Sequence, residues 1–476
     1  MKTFCKILWI MIIFPLLSCG GREDSHYIRV SEHTAYFEYS NGEPFIPIGP
    51  NICWERFEKE ETAVLDLYEQ RFKTLSGYGG NYTRIWLSAP FFEIEHAKAG
   101  EYDEQVALRI DKLLESASRY GIKIKFCLEN FRKLTGQPAP FSTSVPYDKP
   151  IYAAEGMWQS MDDYFRSETG RELYLNRIRF LAGRYANHPS VFGWELWNEI
   201  NSVSAGRQVI YEWTVEMLPA VKALFPNHLV MQSLGSFDRE SSRETYKFYM
   251  EHPANEVAQV HRYLDPGASW VICREAMDTL ASHSIYELRE YIHEKPILLS
   301  EVGAVEANHA GPSLLYESDS LGVLLHDMLF APFFSGAAGP GQNWHWSYYI
   351  EKHNLWWHYG RFAKAVERIN PIKEMFRPAY FCQDDIRYYI LRGNEHTLIW
   401  CRDKNSNWKT EFIEKTEPDV RETLINLHKV IEKNIRKISL YDPWKDETKG
   451  VDPSVEYVML TFKRSLVIHI EHTSLQ

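Results

Sequence analysis

Disulfide and metal chemistry have little to stand on in this chain. Its 476 residues include only seven cysteines, at 5, 19, 53, 127, 273, 382 and 401. Two fall in the leader, and an odd, widely spaced five is no disulfide framework. CxxC and HExxH are both absent, so neither common zinc signature is present and no cofactor or metal is implied. Positive charge is in deficit: 53 Lys and Arg against 64 Asp and Glu give a formal net charge of -11. A nucleic-acid partner needs a concentrated basic face, so none is expected. No G-x-S-x-G elbow occurs, and Gly235-Ser236 lacks its frame, which argues against that class of serine hydrolase. A metal-dependent barrel hydrolase would need clustered His and Asp at strand ends, and only His261 is well placed. Beyond the leader, no apolar run is long enough to cross a bilayer.

What the chain does have is aromatic residues: 15 Trp, 28 Tyr and 25 Phe. Most of these belong to a core, but aromatic faces also suit the apolar faces of sugars. With 45% hydrophobic and 25% charged residues the composition is that of a globular protein. Residues 1–19 read as a targeting segment: Lys2 and Lys6, an apolar run over 7–17, then Leu16-Leu17-Ser18-Cys19. That end resembles the lipobox of bacterial lipoproteins. The resemblance implies lipidation of Cys19, attachment to a membrane through the lipid anchor, and a place in the bacterial cell envelope as an outer-membrane lipoprotein, periplasmic or surface-exposed. Residues 20–30 then read as a flexible polar tether. An ordinary secretory signal with an incidental Cys is the alternative.

After a hairpin over 36–48, with Asn41-Gly42 as a two-residue turn signal, strand-like runs alternate with amphipathic helices. The runs are 45–49, 82–87, 122–128, 191–197, 229–233, 257–261, 297–300 and 333–338. Between them, Val106, Ile110, Leu113, Leu114 and Ala117 form a stripe at helical spacing that Gly121 stops. Eight strand–helix repeats predict an α/β fold, a (β/α)8 TIM barrel over 31–372. The open doubly wound sheet is the alternative, weakened because no Gly-rich phosphate loop follows the first strand. Beyond 371–378 the runs become short and β-rich, which predicts a C-terminal antiparallel β-sandwich domain over 373–476.

In such a barrel, chemistry sits at the C-terminal ends of the strands. The fourth run, V-F-G-W-E-L-W-N-E, ends at Glu199, and the seventh, K-P-I-L-L-S-E-V-G, carries Glu301. Strand alternation would put Glu195, Trp197 and Glu199 on one inward face. Two carboxylates facing each other across a barrel mouth are what glycoside cleavage asks for: a proton donor for the leaving oxygen and a carboxylate beneath the anomeric carbon.

These motifs resemble clan A glycoside hydrolases, most closely glycoside hydrolase family 5 and, through W-E-L-x-N-E with V-H-x-Y, its β-mannanase group. The resemblance spans roughly 36–360 and implies a retaining hydrolase acting on β-linked mannan- or glucan-type glycans. In it Asn198 precedes the acid/base Glu199, Glu301 is the nucleophile, Arg84 contacts the nucleophile, and His261 and Tyr263 order the site. Trp344 or Trp346 supplies an aromatic platform. The chain departs from the pattern at Ile200, where many members have Pro, and at Ser300, where mannanases often carry an acid. Arg84 has two candidate partners, Glu301 and Glu195, the latter read as a member of a structural network. Glu129 and Asn130 follow the third strand, within reach of sugar hydroxyls. Trp54 is a stacking residue or a packed rim residue. Cys53 and Cys127 are read as buried, inert thiols. The competing function is a non-catalytic, cell-surface carbohydrate-binding lipoprotein, for which loss of either Glu would be the signature. An oligo- or polysaccharide is the expected partner in both readings.

Overall fold

The computed structural model describes residues 27–55, 60–134, 148–431 and 434–473. The leader and Cys19 lie outside the described residues. Residues 28–30, read as the end of a tether, are instead a strand, in which Ile28–Val30 pairs antiparallel with Phe37–Tyr39. That strand pairs in turn with Pro44–Phe45. The connecting turn has three residues, not two: Gly42 N donates to Tyr39 O, Tyr39 N donates to Glu43 O, and only Gly42 takes a positive φ, +86°. A type I turn closed by a left-handed glycine is the usual three-residue solution.

The barrel is closed. Four parallel strands run in the order Tyr82–Trp86, Lys123–Cys127, Val191–Glu195 and Leu229–Met231, and two more, Ala258–Leu264 and Ile297–Ala304, pair parallel with each other. Glu256 N to Val230 O links the two groups. The remaining gap is filled by two extended segments. Residues 48–53 bridge to the second strand at Asn51–Arg84, and residues 341–344 bridge to the seventh at Val302–Asn343. Asn51 N donates to Asn343 O at 3.0 Å and completes the ring.

The first strand is therefore 48–53 and not 45–49, whose start belongs to the hairpin. The eighth is 341–344 and not 333–338. Residues Val323–Phe334 are instead a helix, buried at every position. Its sequence is apolar except for His326 and Asp327, which bond to the C-terminal sheet, because it lies between the barrel and that sheet, and a helix buried on all sides has no polar stripe to announce it. Ala337 N and Gly336 N close its end on Pro332 O and Phe333 O, with Gly336 at φ +96°. The helix Glu104–Arg119 forms where the apolar stripe predicts it, capped by the Asp103 carboxylate, which accepts from Gln105 N and Val106 N.

The C-terminal region is an antiparallel six-stranded sheet with a two-stranded ribbon, Arg421–Ile425 with Val458–Phe462, against one face. Alternation along the strands divides its side chains between two cores. Tyr388, Ile390, Ile399 and Ile468 pack with the ribbon's Leu460 and Phe462, whereas Tyr389, Leu391, Leu398 and Trp400 join the barrel core. Ion pairs cross that junction, two of them onto buried barrel carboxylates. Arg402 holds Asp327 through Nε and Nη2 at 2.7 and 3.0 Å, and Arg387 with the Tyr389 hydroxyl holds Asp278. Burial pushes the Asp327 carboxyl up to about 7 despite Arg402.

Candidate active site

The fourth barrel strand stops at Glu195, and the inward alternation stops with it. Glu195 is fully buried inside the barrel. Trp197 instead turns outward, into a cluster of Phe131, Phe165, Tyr174 and Trp213. The chain then bends back to the mouth through Glu199, a non-glycine residue at φ +49°. Such a conformation costs about 1–3 kcal/mol and persists only where its surroundings enforce it. Here Glu199 N donates to Ser233 Oγ (3.1 Å), which itself donates to Glu195 Oε1 (2.6 Å).

The Glu301 carboxylate arrives from the seventh strand, opposite. Tyr263 donates its hydroxyl proton to Glu301 Oε2 at 2.7 Å, and Arg84 Nη1 holds Oε1. Arg84 Nη2 spans to Glu195 Oε1 at 2.5 Å and Asn198 Oδ1 at 2.8 Å. Both candidate partners of Arg84 are thus real, one on each arm of the fork, which suits the planar geometry of guanidinium. His261 and Tyr263 lie two apart on the sixth strand, so both point inward. His261 Nδ1 sits 3.0 Å from Glu199 Oε1 and 3.3 Å from Glu301 Oε2. One oxygen of Glu199, one of Glu301 and a His261 nitrogen all lie within 4.8 Å of one another. Three such atoms could hold a cation, but both carboxylates already face arginines, Arg84 and Arg132. A further positive charge there would meet like-charge repulsion.

Burial raises the energy of every ionised group in this site, and the paired charges decide which stay ionised. Burial alone would lift the Glu195 carboxyl; Arg84 and Lys125 overcome it and bring it to about 2. For Glu199, burial is likewise outweighed, by the His261 hydrogen bond and the Arg132 charge, and the group falls to about 2. Burial and the neighbouring Glu301 push the Tyr263 hydroxyl well above its usual range, which keeps it a donor. Lys125, beneath the site, is pulled down to about 8 by burial although it lies 3.2 Å from Glu195.

At the rim, Trp54, Trp86, Trp344 and Trp346 form one cluster. The ring of Trp54 stands 4.9, 5.1 and 5.0 Å from the other three. Trp54 and Trp344 are partly exposed and Trp346 is buried, so the first two are the faces a ligand could reach. Glu129 is not in the site. It is buried against Arg177 (3.0 Å) and Lys149 (3.5 Å), in a network with Glu93 and Glu95 that stiffens the loops behind it. Those cations come from distant segments, and nothing in the local sequence announces them. The thiols of Cys53 and Cys127 are buried, and burial pushes both well up. The sequence reading missed Arg132, Ser233 and His309. Arg132 Nη2 lies 2.7 Å from Glu199 Oε2. His309 packs edge-on against Tyr263 and bridges Asp265 and Ser236. Two consecutive residues at positive φ, Asn308 and His309, have no sequence signal of their own.

A family model described as Cellulase (glycosyl hydrolase family 5) matches residues 40–324. The chain is 25% identical over 255 residues to a putative mannan endo-1,4-beta-mannosidase 4 of Arabidopsis thaliana, covering 51% of this chain and 61% of that protein. It is 26% identical over 290 residues to mannan endo-1,4-beta-mannosidase 7 of the same plant, covering 55% and 65%. It thus spans less than two thirds of these relatives. Among solved structures, a glycoside hydrolase aligns over 95% of this chain and 98% of its own, with a TM-score of 0.58 at 14% identity. A family 5 glycoside hydrolase from Bacteroides vulgatus aligns over 95% and 97%, with a TM-score of 0.56 at 13% identity. At those identities the likeness is one of fold.

Proposed function

The chain belongs to glycosyl hydrolase family 5, and from that premise we propose that it cleaves β-linked glycans of the mannan or glucan type by double displacement, with Glu301 as nucleophile and Glu199 as acid/base. The observation that carries this reading is the short gap between the two carboxylates, with oxygens within 4.8 Å. Retaining enzymes hold them about 5–5.5 Å apart, whereas inverting ones leave room for a water between. Glu301 attacks the anomeric carbon while Glu199 gives a proton to the departing glycosidic oxygen. The resulting glycosyl ester on Glu301 is then opened by a water that Glu199 deprotonates, and the configuration is retained.

Arg84 and the Tyr263 hydroxyl stabilise the carboxylate that attacks and later leaves. The partly exposed Trp54 and Trp344 offer apolar faces to sugar rings. Mannan is the favoured substrate because the curated relatives named above are mannan endo-1,4-beta-mannosidases. The non-catalytic reading has no support, since both carboxylates are present and held by arginine.

Expected on a panel of mannan, glucan, xylan and galactan polymers with the matching aryl β-glycosides is turnover of a β-mannoside or β-glucoside. The first product seen by proton NMR should be the β-anomer. An α-anomer as first product would eliminate the double displacement, and no turnover of any β-glycoside by folded protein would restore the binding-protein reading.

We also propose that Cys19 carries a lipid anchor that holds the enzyme in the cell envelope; the support is the apolar run ending in Leu16-Leu17-Ser18-Cys19. In a bacterial host, radiolabelled palmitate should enter the wild type and not Cys19→Ala. Equal labelling, or none in either, would defeat this.

A further inference from the structure

Two carboxylates share one arginine inside the barrel. Arg84 gives one arm to Glu301 and the other to Glu195. All three side chains are buried, none more than 3% exposed. One positive charge between two negative ones leaves a deficit. A buried charge without a counter-charge is so costly that the group takes up a proton instead. A proton on Glu301 would silence the nucleophile.

Lys125 supplies the further positive charge. It stands on the third strand, between the strands of Arg84 and Glu195, and it is directly paired in register with Arg84. It is fully buried. Its ammonium lies 3.2 Å from Glu195 Oε2 and donates to Gln259 Oε1 on the sixth strand. Burial brings this ammonium down to about 8, so it is charged at pH 7. Lys125, Glu195, Arg84 and Glu301 thus form one line of alternating charges that sum to zero.

The other titratable groups packed against this line are of two kinds. Burial pushes the Cys53 and Cys127 thiols and the Tyr82 hydroxyl well up, so they stay neutral. At the mouth, the groups that face Glu301 are Tyr263, His261 and, beyond His261, Glu199 paired with Arg132.

We propose that Lys125 is a positioning residue for the nucleophile: by neutralising Glu195 from beneath the site, it leaves one arm of Arg84 to Glu301 and keeps Glu301 ionised for attack. The inference rests on the family 5 reading of Glu301. Lys125 transfers no proton and acts only through Glu195 and Arg84. Its effect is therefore one of charge, and it must obey charge balance.

Three variants test that balance. Lys125→Met removes a positive charge, Glu195→Gln removes a negative one, and the double variant removes both. Glu301 is titrated in the full chain, labelled with 13C at glutamate Cδ, and its signal is identified by its loss in Glu301→Gln. Lys125→Met should raise the Glu301 midpoint by about one pH unit, the scale on which nearby buried charges act. Glu195→Gln should lower it. The double variant should return close to wild type, because Arg84 and Glu301 alone are again neutral. A merely structural role predicts the opposite, a double variant at least as disturbed as Lys125→Met. Should Lys125→Met fail to fold, the step from Glu195→Gln to the double variant removes the same charge and should also raise the midpoint.

A kinetic arm uses dinitrophenyl β-mannoside, whose leaving group needs no proton. The acid limb of its kcat/KM reports ionisation of the nucleophile in the free enzyme, and it should move with the titration in each variant. No rise on removing Lys125 in either background overturns the proposal, as does a double variant that stays with Lys125→Met. The titrations use empty protein. A chain that turned over no β-glycoside would therefore defeat the functional reading and leave the coupling of Lys125 to Glu301 separately decided.

Discussion

Glu199→Gln is expected to lose about 10²–10⁴-fold in kcat/KM on manno-oligosaccharides, the range that a positioned proton donor contributes. The loss should depend on the leaving group. A sugar alcohol departs poorly without a proton, so the first step stalls. Dinitrophenolate departs unaided, so Glu301 should still be glycosylated and release one equivalent of phenolate in a burst. The second step then lacks its base, and steady turnover should fall far below the burst. Azide needs no base to attack the glycosyl ester, so adding it should restore turnover and give the β-glycosyl azide. The substitution keeps part of the surroundings of Glu199. The Gln carbonyl can accept from one of the two neighbours, His261 Nδ1 or Arg132 Nη2, while the contact to the other is lost, and the backbone N–H at 199 keeps its bond to Ser233. The variant should therefore fold. Unchanged activity on oligosaccharides, or absence of the burst, would remove Glu199 from the acid/base role.

Much of this arrangement could be read from the chain, for a physical reason. Each of Arg84, Glu199, His261, Tyr263 and Glu301 lies within or just past an apolar run that can only be a barrel strand. A closed barrel has one mouth, so residues at the strand ends must converge. The structure does bring these five together, with Asn198. Trp54 and Trp344 stand at the same rim and Trp346 is buried behind them. What the sequence could not convey depends on partners chosen by the fold. Glu129 sits just past the third strand, yet its charge is taken by Arg177 and Lys149, about 50 and 20 residues away, a pairing no local pattern encodes. Trp197 obeys the alternation rule only while the strand lasts, and the strand ends two residues earlier. The eighth strand escaped for the opposite reason. Its segment, G-Q-N-W, has no apolar run because Gly341 and Asn343 are packed against Met328 of the buried helix and Gln342 faces Tyr82 inside the barrel. Meanwhile the apolar residues just before it belong to a helix buried on all sides.

The largest stability effect is expected at Arg84. Its guanidinium is wholly buried and is shared by Glu195, Glu301 and Asn198. Removing one partner of a buried ion pair leaves an uncompensated charge and costs about 3–5 kcal/mol. In Arg84→Met, Glu195 would keep Lys125 at 3.2 Å and the Ser233 hydroxyl at 2.6 Å, and Glu301 would keep the Tyr263 hydroxyl at 2.7 Å. Urea unfolding at pH 7 should therefore show a loss toward the lower end of that range. The pH dependence has a definite sign. The Glu195 carboxyl is depressed from 4.5 to about 2 in the folded wild type, burial being outweighed by Arg84 and Lys125. A depressed acid contributes stability that is present above pH 4.5 and lost as the pH falls toward 2. Without Arg84 that contribution shrinks. The gap between variant and wild type should thus be widest near neutrality and narrow steadily between pH 4.5 and 2. Arg84→Lys separates charge from geometry, because one ammonium cannot bridge two carboxylates and an amide as the planar fork does. It should recover part of the stability and little of the activity. In both variants kcat/KM should fall by roughly 10²–10³, the cost of losing one donor aimed at charge in the reacting centre. A gap that stays constant across that pH window would show that Glu195 does not depend on Arg84. Full activity in Arg84→Lys would show that Glu301 needs only a nearby charge and not the guanidinium fork that ties it to Glu195 and Asn198.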